Sequence, residues 1–463
     1  MVFSSTVFLF VFFPVVLIGY YNPLIRSRGF RNTFLFLMSV VFYAWGEPAF
    51  ICIVLLSVVI NWALGRCIVG KHGKLCTYLA LIYDIALLAV FKYLAFIMNS
   101  FGFLLHKDFR ELRIALPIGI SFFTFQMISY ILDVRMGRTK PQKSLINVGL
   151  YILMFPQLIA GPIVRYETVA DEILHRKENA EDFISGVQRF SFGLAKKVLI
   201  ANYMGMLADA AFNCAEPVRV SALMAWVGAV AYMLQIYFDF SGYSDMAIGL
   251  GRMFAFHFPE NFRYPYAAKT VTEFWRRWHI SLSGWFRDYV YIPLGGNRVT
   301  KGKWVRNLFI VWLLTGIWHG ADWTFVLWGL GYFVILLIEK LTGLDKKGNV
   351  VTRILTLLIV MFLWVLFRAE GIGNAVQYLG WMFGGGNGRL WDATALAYLD
   401  SAKIILIVAV LGATPLAGWI YARLPMKEAS KNNIRGAAAM LLLLASVCVC
   451  VQSTYNPFIY FNF

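Results

Sequence analysis

The sequence predicts an all-α polytopic membrane protein, and three observations support this fold class. Of its 463 residues, 60% are hydrophobic and the mean hydropathy is +0.66, whereas soluble domains are about 45–50% apolar. Apolar runs of roughly 20 residues, the length that crosses a bilayer as a helix, recur along the whole chain. The basic residues fall in short clusters between these runs. We therefore expect a single domain over 1–463, with about twelve transmembrane helices plus re-entrant and interfacial helices.

The apolar runs give the positions of the predicted spans. They lie at 5–22, 32–46, 48–65, 75–98, 112–133, 191–212, 220–241, 304–319, 322–340, 353–369, 402–423 and 435–453. Basic clusters follow the first, third, fifth and ninth spans and precede the last. All of these clusters fall on one side if the first residue lies outside. Because basic loops favour the cytoplasm, the pattern predicts that both termini are extracytoplasmic.

The charge balance is strongly basic, with 42 Lys and Arg against 25 Asp and Glu and a formal net charge of +17. In a membrane protein such an excess is typical of cytoplasmic loops. The basic residues do not gather on one polar domain, so we expect no nucleic-acid partner. The six cysteines form no CxxC pair, which argues against a zinc site or a disulfide framework.

An apolar stretch at 145–163 departs from the pattern of simple spans. Pro156, Gly161 and Pro162 break helical hydrogen bonding in it, and broken backbone at membrane depth requires burial in protein or a cavity. We interpret this stretch as re-entrant, with both ends cytoplasmic. The second half of 167–189 fits an interfacial helix or, equally, a solvated loop. We expect Lys196 and Lys197 to snorkel to the cytoplasmic interface.

The central segment is unusually polar and aromatic. Gln235–Asp245 carries two carboxylates, two serines and two tyrosines, which predicts either a polar funnel or a helix end capped by Asp and Ser. Aromatic residues recur at helical spacing through 274–289 and predict an interfacial helix, capped by Thr270 or Thr272. Leu294–Arg298 is typical of a turn.

Two of the six histidines are surrounded by tryptophan, His279 and His319. His319 lies between two apolar runs, where an ionisable side chain is either functional or a satisfied structural histidine. We predict no metal site, since no third ligand stands at metal-binding spacing. The simplest remaining chemistry is general base catalysis on a hydroxyl that attacks an activated acyl carbonyl. A second imidazole or another donor would hold the oxyanion.

Several longer motifs resemble those of a known family. They are Pro156–Pro162, Tyr237–Gly249, Trp275–Ser283, Arg287–Tyr289, Tyr291–Arg298 and Gly316–Gly320. Together these motifs resemble the membrane-bound O-acyltransferases, in particular the membrane subunit of bacterial alginate O-acetylation. The resemblance extends from the first predicted span to the final residues of the chain.

The resemblance implies a many-helix fold around a funnel or tunnel, with N-terminal spans at 1–144, a catalytic core at 145–340 and C-terminal spans at 341–463. It implies that His319 is the catalytic base at the narrow point, and that His279 is catalytic and approached from the cytoplasm. We expect the substrate to be bound by residues from these motifs: Gln157, Asp239, Ser241, Tyr243, Trp275, Arg276, Arg277, Trp278 and Trp318.

The same resemblance implies an acetyl transfer that starts from a cytoplasmic donor and serves O-acetylation of an exported cell-envelope polysaccharide. The donor would be acetyl-coenzyme A or an acyl-carrier thioester, with no bound cofactor. The basic segment 263–306 would hold its anionic part or contact anionic lipid. An extracytoplasmic esterase-like transferase would be the partner, and the polysaccharide an indirect one, at the bacterial inner membrane.

Two other functions remain open at the level of sequence. D-alanyl transfer to teichoic acid, carried out by a sister branch of the family, would use a carrier-protein thioester. A transporter for an acylated lipid or polymer would also explain the many spans and the broken segment near Pro156. Transport without chemistry would survive the loss of both histidines.

Overall fold

The computed structural model of the protein describes residues 1–24, 26–102, 114–159, 161–214, 220–453, 455–457 and 459. Regular secondary structure within these ranges is helical. The helices are α1 (Phe8–Tyr20), α2 (Arg28–Gly46), α3 (Ile51–Cys67), α4 (Gly73–Phe101), α5 (Ile120–Arg135), α6 (Leu145–Leu153), α7 (Tyr166–His175), α8 (Ala180–Ala195), α9 (Asn202–Phe212), α10 (Ala222–Met253), α11 (Val271–Arg277), α12 (Ile280–Phe286), α13 (Lys301–His319), α14 (Trp323–Thr342), α15 (Val350–Arg368), α16 (Ile372–Met382), α17 (Ala393–Gly412), α18 (Leu416–Arg423) and α19 (Glu428–Gln452). The π-helical segment Lys196–Ala201 joins α8 to α9, and a second one, Arg287–Tyr291, follows α12.

Polar side chains define where many of these helices begin. A side-chain oxygen accepts a backbone N–H of the first turn at Ser27, Ser144, Thr270, Asp322, Asn349 and Asp392. Such caps satisfy backbone donors that lack a partner inside the helix. The predicted cap at Thr270 is therefore confirmed, with the N–H of Glu273 as its donor at 3.1 Å.

Six helices among the described residues are long and apolar enough to cross a membrane. They are α4, α10, α14, α15, α17 and α19, and the apolar helices α1 and α3 are shorter. The chain is thus an all-helical, multi-pass membrane protein. The count of twelve spans stays a prediction, since the other predicted spans fall on shorter or more polar helices. The fifth of them starts at 112, outside the described residues, and its helix begins at Ile120.

The chain forms two compact units. The first contains residues 1–190 and 244–259, and the second contains 191–243 and 260–463. In the first unit α2 packs on α6 and α4 packs on α5, which is buried along nearly its whole length. In the second unit α13 and α14 form a closely packed helical hairpin, and α14 also contacts α11 and α15.

The broken segment after Ser144 follows the sequence closely in the described residues. Helix α6 ends at Leu153, and the chain then turns through Pro156 and Gln157. Ala160 lies outside the described residues. The break is confirmed, while the re-entrant path stays a prediction. The polar stretch that follows is helical in both halves, as α7 and α8, so the solvated-loop interpretation was wrong.

Three further expectations are corrected by the helix boundaries. The polar stretch Gln235–Asp245 lies inside the 32-residue helix α10 and does not cap its end. The predicted span 402–423 is divided between α17 and α18, with Pro415 immediately before α18. The predicted interfacial helix at 274–289 is interrupted, because His279 has a left-handed φ of 43° between α11 and α12. A left-handed residue cannot continue a right-handed helix.

Candidate active site

A pair of glycines brings α13 and α14 close together and thereby positions His319. A Cβ atom at Gly316 would lie 2.5 Å from the backbone oxygen of Phe325, and one at Gly329 would lie 2.5 Å from that of Trp312. Larger side chains at these two positions would push the helices apart. The hairpin therefore depends on the glycine of the motif that also carries His319.

His319 is the last residue of α13 and is buried. Its ring lies among three aromatic rings, with centroid distances of 5.0 Å to Trp318, 4.9 Å to Trp328 and 5.2 Å to Phe367. Asp322 then starts α14 by accepting the N–H of Thr324 at 2.8 Å. This aromatic surrounding limits access of water to the imidazole of His319.

His279 lies at the break between α11 and α12 and has no exposed surface. Its Nδ1 is 3.2 Å from Oδ1 of Asn261, and its ring packs edge-on against Phe240 at 4.7 Å. Burial alone lowers the pKa of His279, to about 3. At neutral pH this imidazole is therefore uncharged, as a histidine in a desolvated site is expected to be.

Trp318 connects the two histidines. Its ring centroid lies 5.9 Å from that of His279 and 5.0 Å from that of His319. The two predicted catalytic residues thus share one aromatic neighbour within the second unit, although they come from different helical elements. Trp318, one of the predicted substrate-binding residues, thus has ring contacts with both histidines.

The predicted residues on α11 separate into buried and surface positions. Trp275 and Trp278 are buried: Trp275 packs on Trp312 at 4.7 Å, and Trp278 packs on Trp364 at 5.0 Å. Arg276 is exposed. Arg277 is partly exposed, and it pairs with Glu273 at 2.6 Å. The two arginines therefore offer charge at the surface. Trp275 packs on Trp328, a neighbour of His319, and Trp278 packs on Phe262, a neighbour of His279.

The predicted site residues of α10 are buried, and Asp239 has a charged partner. Asp239 forms an ion pair with Lys197 at 2.9 Å and accepts the backbone N–H of Ile459 at 3.1 Å. Lys197 therefore does not snorkel to the interface as predicted, because its buried ammonium group is held by this carboxylate. Ser241 and Tyr243 are also buried. Their predicted substrate contacts stay predictions.

Gln157 is the one predicted site residue that belongs to the first unit. Its side chain is buried and donates to the backbone oxygen of Tyr151. This contact closes the turn that follows α6. It gives Gln157 a structural task in the broken segment, and its predicted part in substrate binding stays a prediction.

A cavity of about 1290 Å³ opens within the second unit. Its wall includes Phe325 and Phe367, and the ring of Phe367 also packs on His319. The other lining residues are largely polar or aromatic: Asp209, Phe212, Asn213, Cys214, Tyr232, Gln235, Asp322, Thr324, Arg368, Ala369, Glu370, Gly371, Asn374, Gln377, Tyr378, Trp381, Asn456, Pro457 and Ile459. Amides, carboxylates and aromatic rings of this kind suit a hydroxylated ligand.

An ion pair organises the polar wall of this cavity. Arg368 pairs with Asp209, which also accepts the hydroxyl of Tyr455 at 2.6 Å. The guanidinium of Arg368 lies over the ring of Phe212, 4.5 Å from its centroid. Side chains from three distant parts of the chain are thereby held in fixed positions on one wall.

Sequence reasoning missed three residues that shape this site. Asn261 contacts His279, and Trp328 contacts His319. Glu339 accepts the backbone N–H groups of Val271 and Thr272 at 2.7 and 2.8 Å, and so holds the start of α11. The signal for Asn261 was its place in the polar loop before α11, but its partner could not be read from the loop. In the described part of the chain, no group of three or more His, Cys, Asp or Glu side chains is arranged to bind a metal ion.

Comparison with known proteins identifies the family of this chain. The model of the membrane-bound O-acyltransferase family matches residues 139–344, which include both histidines. A probable alginate O-acetylase of Pseudomonas putida is 38% identical, with 100% of both chains covered. One of Pseudomonas aeruginosa is 43% identical over 89% of this chain and 81% of its own.

A relative that acts on a different polymer by its name is also similar along the whole length. The peptidoglycan O-acetyltransferase of Helicobacter pylori is 32% identical over 100% of this chain and 98% of its own. Full-length similarity at these levels, together with the family match around His279 and His319, establishes the identity of the fold and the class of reaction. The chain is an acyltransferase that belongs to the membrane-bound O-acyltransferase family.

Proposed function

We propose that this protein moves an acetyl group from a cytoplasmic thioester donor across the membrane, for O-acetylation of an exported cell-envelope polysaccharide. The observation that carries the proposal is the buried series His279, Trp318 and His319, next to the cavity wall at Phe367. The similarity to a probable alginate O-acetylase and to a peptidoglycan O-acetyltransferase supports the class of acceptor.

In the proposed reaction His319 is the general base. Its neutral imidazole takes the proton of the attacking hydroxyl while the new C–O bond forms at the acyl carbon and the C–S bond of the donor breaks. The imidazolium then returns the proton to the leaving thiolate, so that charge and atoms balance. General base catalysis of this kind contributes about 10²–10⁴-fold to the rate.

The two substrates would approach from opposite sides. Most of the segments that line the cavity lie at helix ends that the predicted topology places outside, whereas Tyr232 and Gln235 lie within α10. This distribution supports an extracytoplasmic acceptor side. Exposed basic side chains around α11 to α13, at Arg263, Arg276, Arg298, Lys301 and Lys303, support a donor with an anionic portion on the cytoplasmic side. An extracytoplasmic esterase-like partner would then carry the acetyl group to the polymer.

The decisive experiment is acyl transfer by the purified protein in nanodiscs, with labelled acetyl-coenzyme A and either wild type or His319→Ala. We expect the variant to lose transfer by about 10²–10⁴-fold while it still inserts and folds. His175→Ala is the matched control, because His175 is exposed and pairs with Asp171 of its own helix. Transfer retained by His319→Ala would reject the role of the base.

The donor is identified by a parallel assay. Labelled acetyl-coenzyme A is replaced by an acetylated carrier protein and, separately, by a D-alanyl carrier thioester. The proposal expects turnover with an acetyl thioester. Turnover with the D-alanyl thioester alone would assign the protein to D-alanyl transfer instead.

A further inference from the structure

Asn261 makes an unusual set of contacts with the break that carries His279. It is fully buried in the loop before α11. Its side-chain oxygen accepts the backbone N–H of Ser281 at 3.2 Å and the hydroxyl of Ser281 at 2.8 Å, and it lies 3.2 Å from Nδ1 of His279. The backbone oxygen of Asn261 accepts the N–H of Ile280 at 3.0 Å. One residue thus binds the three positions that follow the helix break.

These contacts determine the orientation of the asparagine amide. A backbone N–H is a donor and has no capacity to accept, so the N–H of Ser281 must face the oxygen of Asn261 and not its NH₂ group. The side chain therefore cannot be rotated to exchange the two groups without losing this bond. The atom that faces Nδ1 of His279 is consequently an acceptor.

The orientation of the amide determines where His279 carries its proton. Because the oxygen of Asn261 can only accept, Nδ1 of a neutral His279 must be the protonated nitrogen. The hydroxyl of Ser281 donates its hydrogen bond to the side-chain oxygen of Asn261. Toward Nδ1, which is 3.5 Å away, this hydroxyl can therefore act only as an acceptor. It therefore favours the same tautomer. The lone pair of the imidazole is left on Nε2.

The surroundings of His279 preserve this state. Its ring packs on Phe240, Phe262 and Trp318, and its partners Asn261 and Ser281 are not ionisable. Burial is the cause that lowers the pKa of His279, with no charged group acting on it. Its Nε2 is buried and has no hydrogen-bond partner among the described residues, so the capacity of this nitrogen to accept a hydrogen bond is not used there.

We propose that Asn261 is a positioning residue that holds neutral His279 in the Nδ1-protonated tautomer, so that Nε2 faces the reacting groups as an acceptor. This inference rests on the proposed acyl transfer and deepens it. It assigns His279 the task of receiving a proton or hydrogen bond from an N–H, O–H or S–H group. It excludes His279 as the donor that stabilises the oxyanion, since Nε2 carries no proton to donate.

The tautomer is measured directly by solid-state NMR of the full-length protein in nanodiscs, with ring-¹⁵N-labelled histidine. The His279 signals are assigned by their loss in His279→Gln. We expect a protonated Nδ1 and an unprotonated Nε2 at neutral pH. A protonated Nε2, or an imidazolium, would overturn the proposal. Ser281→Ala should keep the same tautomer, because the backbone N–H of residue 281 still orients Asn261.

A variant connects the tautomer to turnover. Asn261→Leu removes the acceptor and keeps the number and branching of the side-chain heavy atoms. We expect His279 to populate the Nε2-protonated tautomer and acetyl transfer to fall by at least about tenfold, with little change in the KM of the donor. Asn307→Leu is the matched control, since Asn307 is a fully buried asparagine that donates to the backbone oxygens of Leu294 and Gly296. It should leave the His279 signals unchanged.

The outcomes separate this inference from the proposed function. An unchanged tautomer or unchanged turnover in a folded Asn261→Leu would reject the positioning role, even if His319 is the base. If Asn261→Leu fails to insert, the NMR spectra of wild type and Ser281→Ala decide. A third outcome is that the protein shows the predicted tautomer but transfers no acetyl group from any thioester. This outcome would uphold the inference about Asn261 and reject the proposed reaction.

Discussion

At the scale of single residues, His257 joins two helices through two carboxylates. Its Nδ1 lies 2.7 Å from Glu172 of α7, and its Nε2 lies 3.2 Å from Asp182 of α8. Burial lowers the pKa of His257, but the contacts with both carboxylates outweigh burial and raise it above its ordinary value. In the sequence His257 stands two residues before Pro259, and only the structure specifies its partners.

The raised pKa of His257 makes the stability of the first unit depend on pH. A histidine whose pKa is raised in the folded state stabilises the fold fully at pH values below its unfolded pKa, near 6.5. This stabilisation is lost as pH rises through the pKa of the folded state. We expect the melting temperature of wild type to fall as pH rises above about 6.5, and to fall less in His257→Gln. His175→Gln should behave like wild type. An identical pH profile for wild type and His257→Gln would contradict the prediction.

At the scale of elements, the short helix α11 is held by a carboxylate from a neighbouring helix. Glu339 of α14 accepts two backbone N–H groups at the start of α11, and α14 also carries Trp328, which packs on His319. A seven-residue helix is too short to be stable alone. Its position beside His279 therefore depends on this contact between distant segments.

Replacing Glu339 should loosen α11 without removing it. Glu339→Gln keeps one acceptor oxygen and loses the charge, and hydrogen bonds to charged groups contribute about 1.5–3 kcal/mol. We expect faster hydrogen–deuterium exchange in the peptide covering Val271–Arg277 and lower acetyl transfer. Glu428→Gln, at the exposed start of α19, should change neither. Unaltered exchange in Glu339→Gln would show that aromatic packing alone holds α11.

At the scale of the whole molecule, the distribution of basic loops predicts the orientation in the membrane. With all native cysteines replaced, we expect Ser5→Cys and Ser453→Cys to react with a membrane-impermeant maleimide on intact cells. Lys303→Cys, at the exposed start of α13, should react only after permeabilisation. Labelling of Lys303→Cys on intact cells would reverse the predicted topology and place the basic segment outside.

The sequence by itself determined the all-helical membrane architecture, the break near Pro156, the cap at Thr270 and the family, through composition, apolar length and local motifs. It placed His279 on a continuous helix and Lys197 at the interface, and both assignments were wrong. Only the tertiary structure decided these points and the contact of His279 with Asn261, 18 residues earlier. The physical reason is that apolar periodicity records which segments are buried, whereas the partner of a buried polar group depends on how helices distant in sequence are rotated and packed.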